Sequence, residues 1–147
     1  MFFNTNILKR VQDCLNRIKM AENNKTQYNL KYFKIEEFDS PDEPGSGNKM
    51  DKKFLEKLDY ARHNAGIPFK ITSGYRTKEH NLKAGGRVGS SHQFGVACDI
   101  HCVGSRNRAL MVKALLDVGI TRIGIAKSFI HCDIDNLKDQ DVIWLYK

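Results

Sequence analysis

The sequence predicts an α+β domain in which helices pack on a mostly antiparallel sheet and a cleft lies on one sheet face. Three observations lead there. Apolar residues recur at helical spacing over 51–64 and 106–118, short alternating stretches crowd the second half of the chain, and Ala126-Lys127-Ser128 leaves only a hairpin turn between two of them. A chain of 147 residues makes one ordinary domain and is long enough to bury a core. With 41% hydrophobic and 28% charged residues it belongs with globular rather than disordered chains.

Ile7, Val11, Cys14, Leu15 and Ile18 recur at helical spacing, with Lys9, Arg10, Asp13, Arg17 and Lys19 between them. Residues 6–22 therefore read as an amphipathic helix, and 1–24 as an N-terminal unit ahead of the domain at 25–147. Packing on the domain is its default. Residues 28–38 mix aromatic and charged side chains and are expected to cross the surface as an extended arm. The prolines, glycines and short polar side chains of 39–48 spell a loop, acidic but without the ligand spacing of an EF-hand.

A helix over 51–64 follows, ended by Gly66, with His63 at its exposed end. Residues 67–72 alternate as a strand that delivers Ser73-Gly74-Tyr75-Arg76 to its end, and Thr77 caps a short helix. The glycines of 85–91 make a flexible loop leading into His92. Residues 95–102 read as a strand with Ala97, Asp99 and His101 on one face and Val96, Cys98, Ile100 and Cys102 on the other. Ser105 is the expected cap of the helix at 106–118, Gly119 closes it, and strands follow at 122–126, 129–134 and 142–146.

The net charge of +7 and pI near 9.3 favour anionic partners: nucleic acid, anionic lipid or an anionic wall polymer. No base-reading motif supports a specific nucleic-acid function. No apolar run approaches the roughly 20 residues that span a bilayer, and Met1-Phe2-Phe3-Asn4 leads into a basic, polar helix rather than a signal-peptide core. The expectation is a monomer synthesised in the cytoplasm without a signal peptide. Its four cysteines, Cys14, Cys98, Cys102 and Cys132, are too few for a disulfide scaffold and are expected as reduced thiols, with a Cys98–Cys132 bridge left open if the two are cross-strand neighbours.

Chemistry concentrates in two stretches. Ser90-Ser91-His92-Gln93-Phe94-Gly95-Val96-Ala97-Cys98-Asp99 sets an imidazole and a carboxylate seven residues apart, and Phe129-Ile130-His131-Cys132-Asp133 adds a second imidazole with a carboxylate two residues on. Two nitrogens and one oxygen suit a catalytic zinc, which keeps a fourth position open. Alternation puts His131 and Asp133 on one strand face, so His131 and Asp99 converge if their strands are neighbours, with His92 reaching in from its loop. A rival set of Cys98, His101, Cys102 and Cys132 fails on the same alternation, because Cys98 and Cys102 oppose His101. Taken singly, His92 reads as a structural histidine and Asp99 as a turn residue; the joint spacing makes the case.

Ser90-x-His92-x-x-Gly95-x-Ala97-x-Asp99, preceded by Ser73-Gly74-Tyr75-Arg76 and followed by His131-x-Asp133, resembles the M15 family of zinc D-Ala-D-Ala carboxypeptidases and cell-wall endopeptidases, which includes many phage endolysins. The resemblance runs over roughly residues 30–146. It implies a metallopeptidase with zinc on His92, Asp99 and His131, and with Arg76 on the substrate or the oxyanion. Ser90 and Tyr75 are the further substrate-facing candidates. The implied substrate is a peptidoglycan stem peptide or cross-bridge, and the implied place of action is the bacterial cell wall, as for a phage lysin. Several branches of the family carry an acid three residues before the last histidine, where this chain has Ser128. Asp133 is then the catalytic candidate, as general base or as the partner that orients His131. The missing acid also leaves room for a zinc-containing wall-binding module without turnover.

Overall fold

A computed structural model describes Gln12, Leu15 and residues 28–147. Gln12 and Leu15 are helical and exposed. The rest of the expected helix 6–22, Cys14 included, lies outside the described residues.

Within residues 28–147 there are three α-helices, α1 (Lys52–Ala65), α2 (Lys78–Lys83) and α3 (Ser105–Asp117). Five strands, β1 (Ile71–Ser73), β2 (Ala97–His101), β3 (Arg122–Ile125), β4 (Phe129–Asp133) and β5 (Val142–Leu145), form one open sheet in the order β1-β2-β4-β3-β5. Every neighbouring pair is antiparallel except β3 and β5, so the expected α+β fold holds and its sheet is mixed. No helix among the described residues is long and apolar enough to cross a membrane.

Helix α1 forms where its apolar spacing predicts. The Asp51 carboxylate accepts from the Phe54 amide at 2.8 Å, and Phe54, Leu55, Leu58 and Ala61 turn one stripe fully into the core. At α3 the expectation needs correcting: Gly104 is the cap and Ser105 the first helical residue. Gly104 sits at φ 88° and ψ 146°, a conformation only glycine enters cheaply, and this swings the chain from the end of β2 into the helix. β1 is shorter and later than the expected 67–72, since Pro68 lacks the N–H a ladder needs. The hairpin at Lys127-Ser128 closes as expected, the Ala126 amide donating to Phe129 O at 2.9 Å.

Residues 28–38 are not an extended surface arm. Both Asp59 oxygens on α1 accept backbone amides, from Lys31 at 3.0 Å and Tyr32 at 2.8 Å, and Arg62 donates to Tyr32 O at 2.7 Å. Phe33 and Phe38 then enter the core, with Phe38 on a 3-10 turn, Ile35–Phe38. Two buried aromatic rings outweigh the charges between them, which stay at the surface.

α1 and α3 pack on one sheet face over Cys98, Ile100, Ile123, Ile130 and Cys132. Cys98 and Cys132 sit opposite one another with their sulfurs 3.7 Å apart as free thiols. Strand alternation sends Asp99, His131, Asp133, Arg122 and Trp144 to the other face. That face carries the cleft.

Candidate metal centre

His92 reaches the site from a short 3-10 turn, Ser91–Phe94, rather than from a flexible loop. Its backbone carbonyl accepts the Arg76 amide at 3.1 Å, tying this turn to the end of β1. Its Nδ1 lies 2.7 Å from the Gly74 carbonyl. A carbonyl only accepts, so Nδ1 carries a proton, and Nε2 faces Asp99 Oδ1, 3.3 Å away.

Asp99 on β2 and His131 on β4 are cross-strand partners, the neighbourhood the sequence reading required. His131 Nδ1 is 2.9 Å from Asp99 Oδ1, while the other carboxylate oxygen, Oδ2, accepts Arg76 Nη2 at 2.8 Å. Arg76 is itself steadied by donating from Nε to Ser73 Oγ at 2.7 Å. The three candidate ligands are buried, at 3%, 8% and 7% exposure for His92, Asp99 and His131.

This set fits a zinc-type ion. One donor atom from each of His92, Asp99 and His131 lies within 4.8 Å of the others, the only such group among the described residues. Ligands about 2.0–2.1 Å from a tetrahedral ion stand roughly 3.4 Å apart, close to the His92–Asp99 spacing. Both imidazoles have their outer nitrogens engaged, so the inner ones converge with a single carboxylate oxygen.

Without metal these groups form a charged cluster. Burial works to raise the Asp99 pKa, but hydrogen bonds from His131 and His92 outweigh it and hold it well below the usual carboxylate range. Burial likewise pulls His131 down, yet its bonds to Asp133 and Asp99 push it up to about 9. Asp133 is lowered too: burial opposes, and the His131 bond and the Asp135 amide prevail. The raised His131 pKa contributes stability that is fully present below its unfolded value of about 6.5 and is lost as pH climbs through the folded value. The lowered carboxylates contribute above about pH 4 and lose their contribution as pH falls. The unfolding free energy of chelator-treated protein, from urea titration, should therefore peak between about pH 4 and 6.5 and decline by pH 9.5 on the order of 3 kcal/mol. A free energy that keeps rising from pH 6.5 to 9.5 would contradict this charge network.

Asp133 does not stand free in the cleft. It is 1% exposed, its Oδ1 accepts Arg122 Nε at 2.7 Å and the Asp135 amide at 3.0 Å, and its Oδ2 meets His131 Nε2 at 2.9 Å. With both oxygens engaged it is set to orient His131, one of the two roles the sequence left open for it. Arg122 escaped the sequence reading altogether. Its parity on β3 was readable, but its pairing with Asp133 depends on the β3–β4 register.

The cleft above these residues measures about 820 Å³. The glycine-rich 84–91 loop forms one wall and Trp144 and Tyr146 another, and Arg76, Arg87, Lys138 and Lys147 add positive charge. Ser90 lines it, as does Arg76. Tyr75 is absent from the lining; its ring packs against the core under the Lys49 ammonium, 5.1 Å from the ring centre. His101, left out of the metal set in the sequence reading, is exposed at the end of β2.

A buried His-Asp-His donor set, drawn from two adjoining strands and a 3-10 turn beneath an open cationic cleft, is suited to hold a metal ion of the hydrolytic kind. Residues 31–133 match the family described as Peptidase M15, and the chain belongs to that family. Membership implies peptidase activity on a peptide substrate. No curated protein matches the chain.

Proposed function

We propose that the protein is a zinc-dependent peptidase that hydrolyses amide bonds in peptidoglycan stem peptides or cross-bridges, as a D-Ala-D-Ala carboxypeptidase or an endolysin-type endopeptidase acting at the bacterial cell wall. The observation that carries this reading is the convergence of His92, Asp99 and His131 at the floor of the cleft. Zinc bound there supplies a Lewis acid that polarises a peptide carbonyl and lowers the pKa of water to near 7. The protein's own groups do the rest. His92 and His131 offer neutral nitrogens, and Asp99 brings the negative charge that favours a cation. Arg76, beside Asp99 at the cleft surface, is placed to take the charge that develops on a carbonyl oxygen, a contribution worth roughly 10² or more in rate. Arg87, Lys138 and Lys147 suit a substrate rich in carboxylates, and the Trp144–Tyr146 wall gives its chain an apolar surface.

The test is to incubate zinc-loaded protein with purified peptidoglycan and to follow new free amines by mass spectrometry. Wild-type protein should release them, and His92→Ala should fall to the background without enzyme. Equal release by the two proteins would sink the peptidase reading. Because both cleft carboxylates, Asp99 and Asp133, are held by arginine and histidine partners, a second reading is a zinc-containing wall-binding module without turnover. Stoichiometric zinc and sedimentation with peptidoglycan, but no amine release, would select it.

A further inference from the structure

The two imidazoles of the centre turn different nitrogens inward. His92 gives Nδ1 to the Gly74 carbonyl and keeps Nε2 for the centre, whereas His131 directs Nε2 at Asp133 and keeps Nδ1. The choice at His92 is set by a backbone oxygen that cannot turn. The choice at His131 is set by a side chain, and that side chain needs holding.

Arg122 holds it. Its Nε donates to Asp133 Oδ1 at 2.7 Å, and the Asp135 amide donates to the same oxygen at 3.0 Å, so that Oδ2 is left facing His131. The guanidinium is anchored in turn by donating from Nη1 to the Asp139 carbonyl, and the Trp144 ring covers it at 5.4 Å. The ion pair is buried, with side chains 10% and 1% exposed.

We propose that Arg122 is a positioning residue of the metal centre: by claiming Oδ1 of Asp133 it turns Oδ2 onto the Nε2–H of His131 and thereby selects Nδ1 of His131 as the atom offered to the metal. This inference rests on the zinc-peptidase reading of the same cluster. It has a consequence that simple packing does not share. In Asp133→Asn, which keeps the shape, Arg122 and the Asp135 amide are both donors and hold the new amide's carbonyl at the Oδ1 position. Its NH₂ then points at His131 Nε2, which must accept, and the ring proton moves to Nδ1, where the metal should be.

The full chain with zinc alone as probe tests this, by competition with a chromophoric chelator and by histidine side-chain ¹⁵N spectra of the zinc-loaded protein. Wild type should show His131 coordinated through Nδ1 and protonated at Nε2. Arg122→Gln should lose roughly 10- to 100-fold in zinc affinity, Asp133→Asn at least as much, and Arg122→Lys, which keeps a cationic donor, should recover the larger part. Should Arg122→Gln fail to fold, Asp133→Asn and Arg122→Lys carry the comparison. Folded Arg122→Gln or Asp133→Asn protein with wild-type affinity and Nδ1 coordination overturns the proposal while the zinc site stands. Wild type coordinated through Nε2 of His131 overturns it as well. Wild type that takes up no zinc overturns the zinc-peptidase reading itself.

Discussion

Asp99→Ala protein binds no zinc in chelator competition and unfolds at lower urea, by about 3–5 kcal/mol in the metal-free state at pH 6. Asp99 is the one acid in the three-residue donor set, and it also carries the Arg76 pair at 2.8 Å, in which the two side chains are only 14% and 11% exposed. Removing the carboxylate leaves a buried guanidinium without its counter-charge and two imidazoles without a common acceptor. Breaking a buried pair from one side costs more than the pair contributes, because the remaining charge has lost its water as well. Zinc affinity near wild type, or a loss of stability under 1 kcal/mol, would show that Asp99 neither ligates nor balances Arg76.

Gly74→Ala should lower stability by about 1–3 kcal/mol and weaken zinc binding by roughly 10- to 100-fold. A Cβ at Gly74 would lie 2.5 Å from Phe38 Cα, 2.7 Å from Phe38 O and 2.8 Å from Phe38 Cβ, so backbone must move to admit it. Phe38 cannot yield easily. It is fully buried, and its carbonyl accepts the Tyr75 amide at 2.9 Å. The segment that gives way is then the one bearing the Gly74 carbonyl, which fixes the proton on Nδ1 of His92. Urea titration and chelator competition measure the two effects separately. An unchanged zinc affinity alongside lost stability would mean that the Gly74 carbonyl does not orient His92.

The residues that bear the candidate chemistry were legible because they obey local rules. Asp99 and His131 each sit on a strand whose alternation is plain, and the short hairpin at Lys127-Ser128 ties β3 to β4. Helix α1 was readable from its apolar spacing together with Asp51 and Gly66 at its ends. What stayed hidden depends on register or on distant packing. Arg122 gains its partner only once β3 and β4 are aligned, and the role of Asp133 follows from which groups occupy its two oxygens. Likewise the parallel pairing of β5 with β3 and the inward turn of Phe33 and Phe38 are decided by the rest of the core, not by their own neighbours in sequence. Tyr75 shows the same limit: beside a cleft residue in sequence, it points into different surroundings.

The strand order β1-β2-β4-β3-β5 has a further consequence for amide exchange. β2 and β4 are each flanked on both sides, whereas β1 and β5 are edges, so opening fluctuations should start at the margins and reach the middle last. Deuterium should therefore enter β5, which bears Trp144, and the three-residue β1 hours before it enters the amides of Asp99 and His131. The protein would hold Asp99 and His131 on its slowest-opening backbone while the walls that meet a substrate belong to segments that breathe.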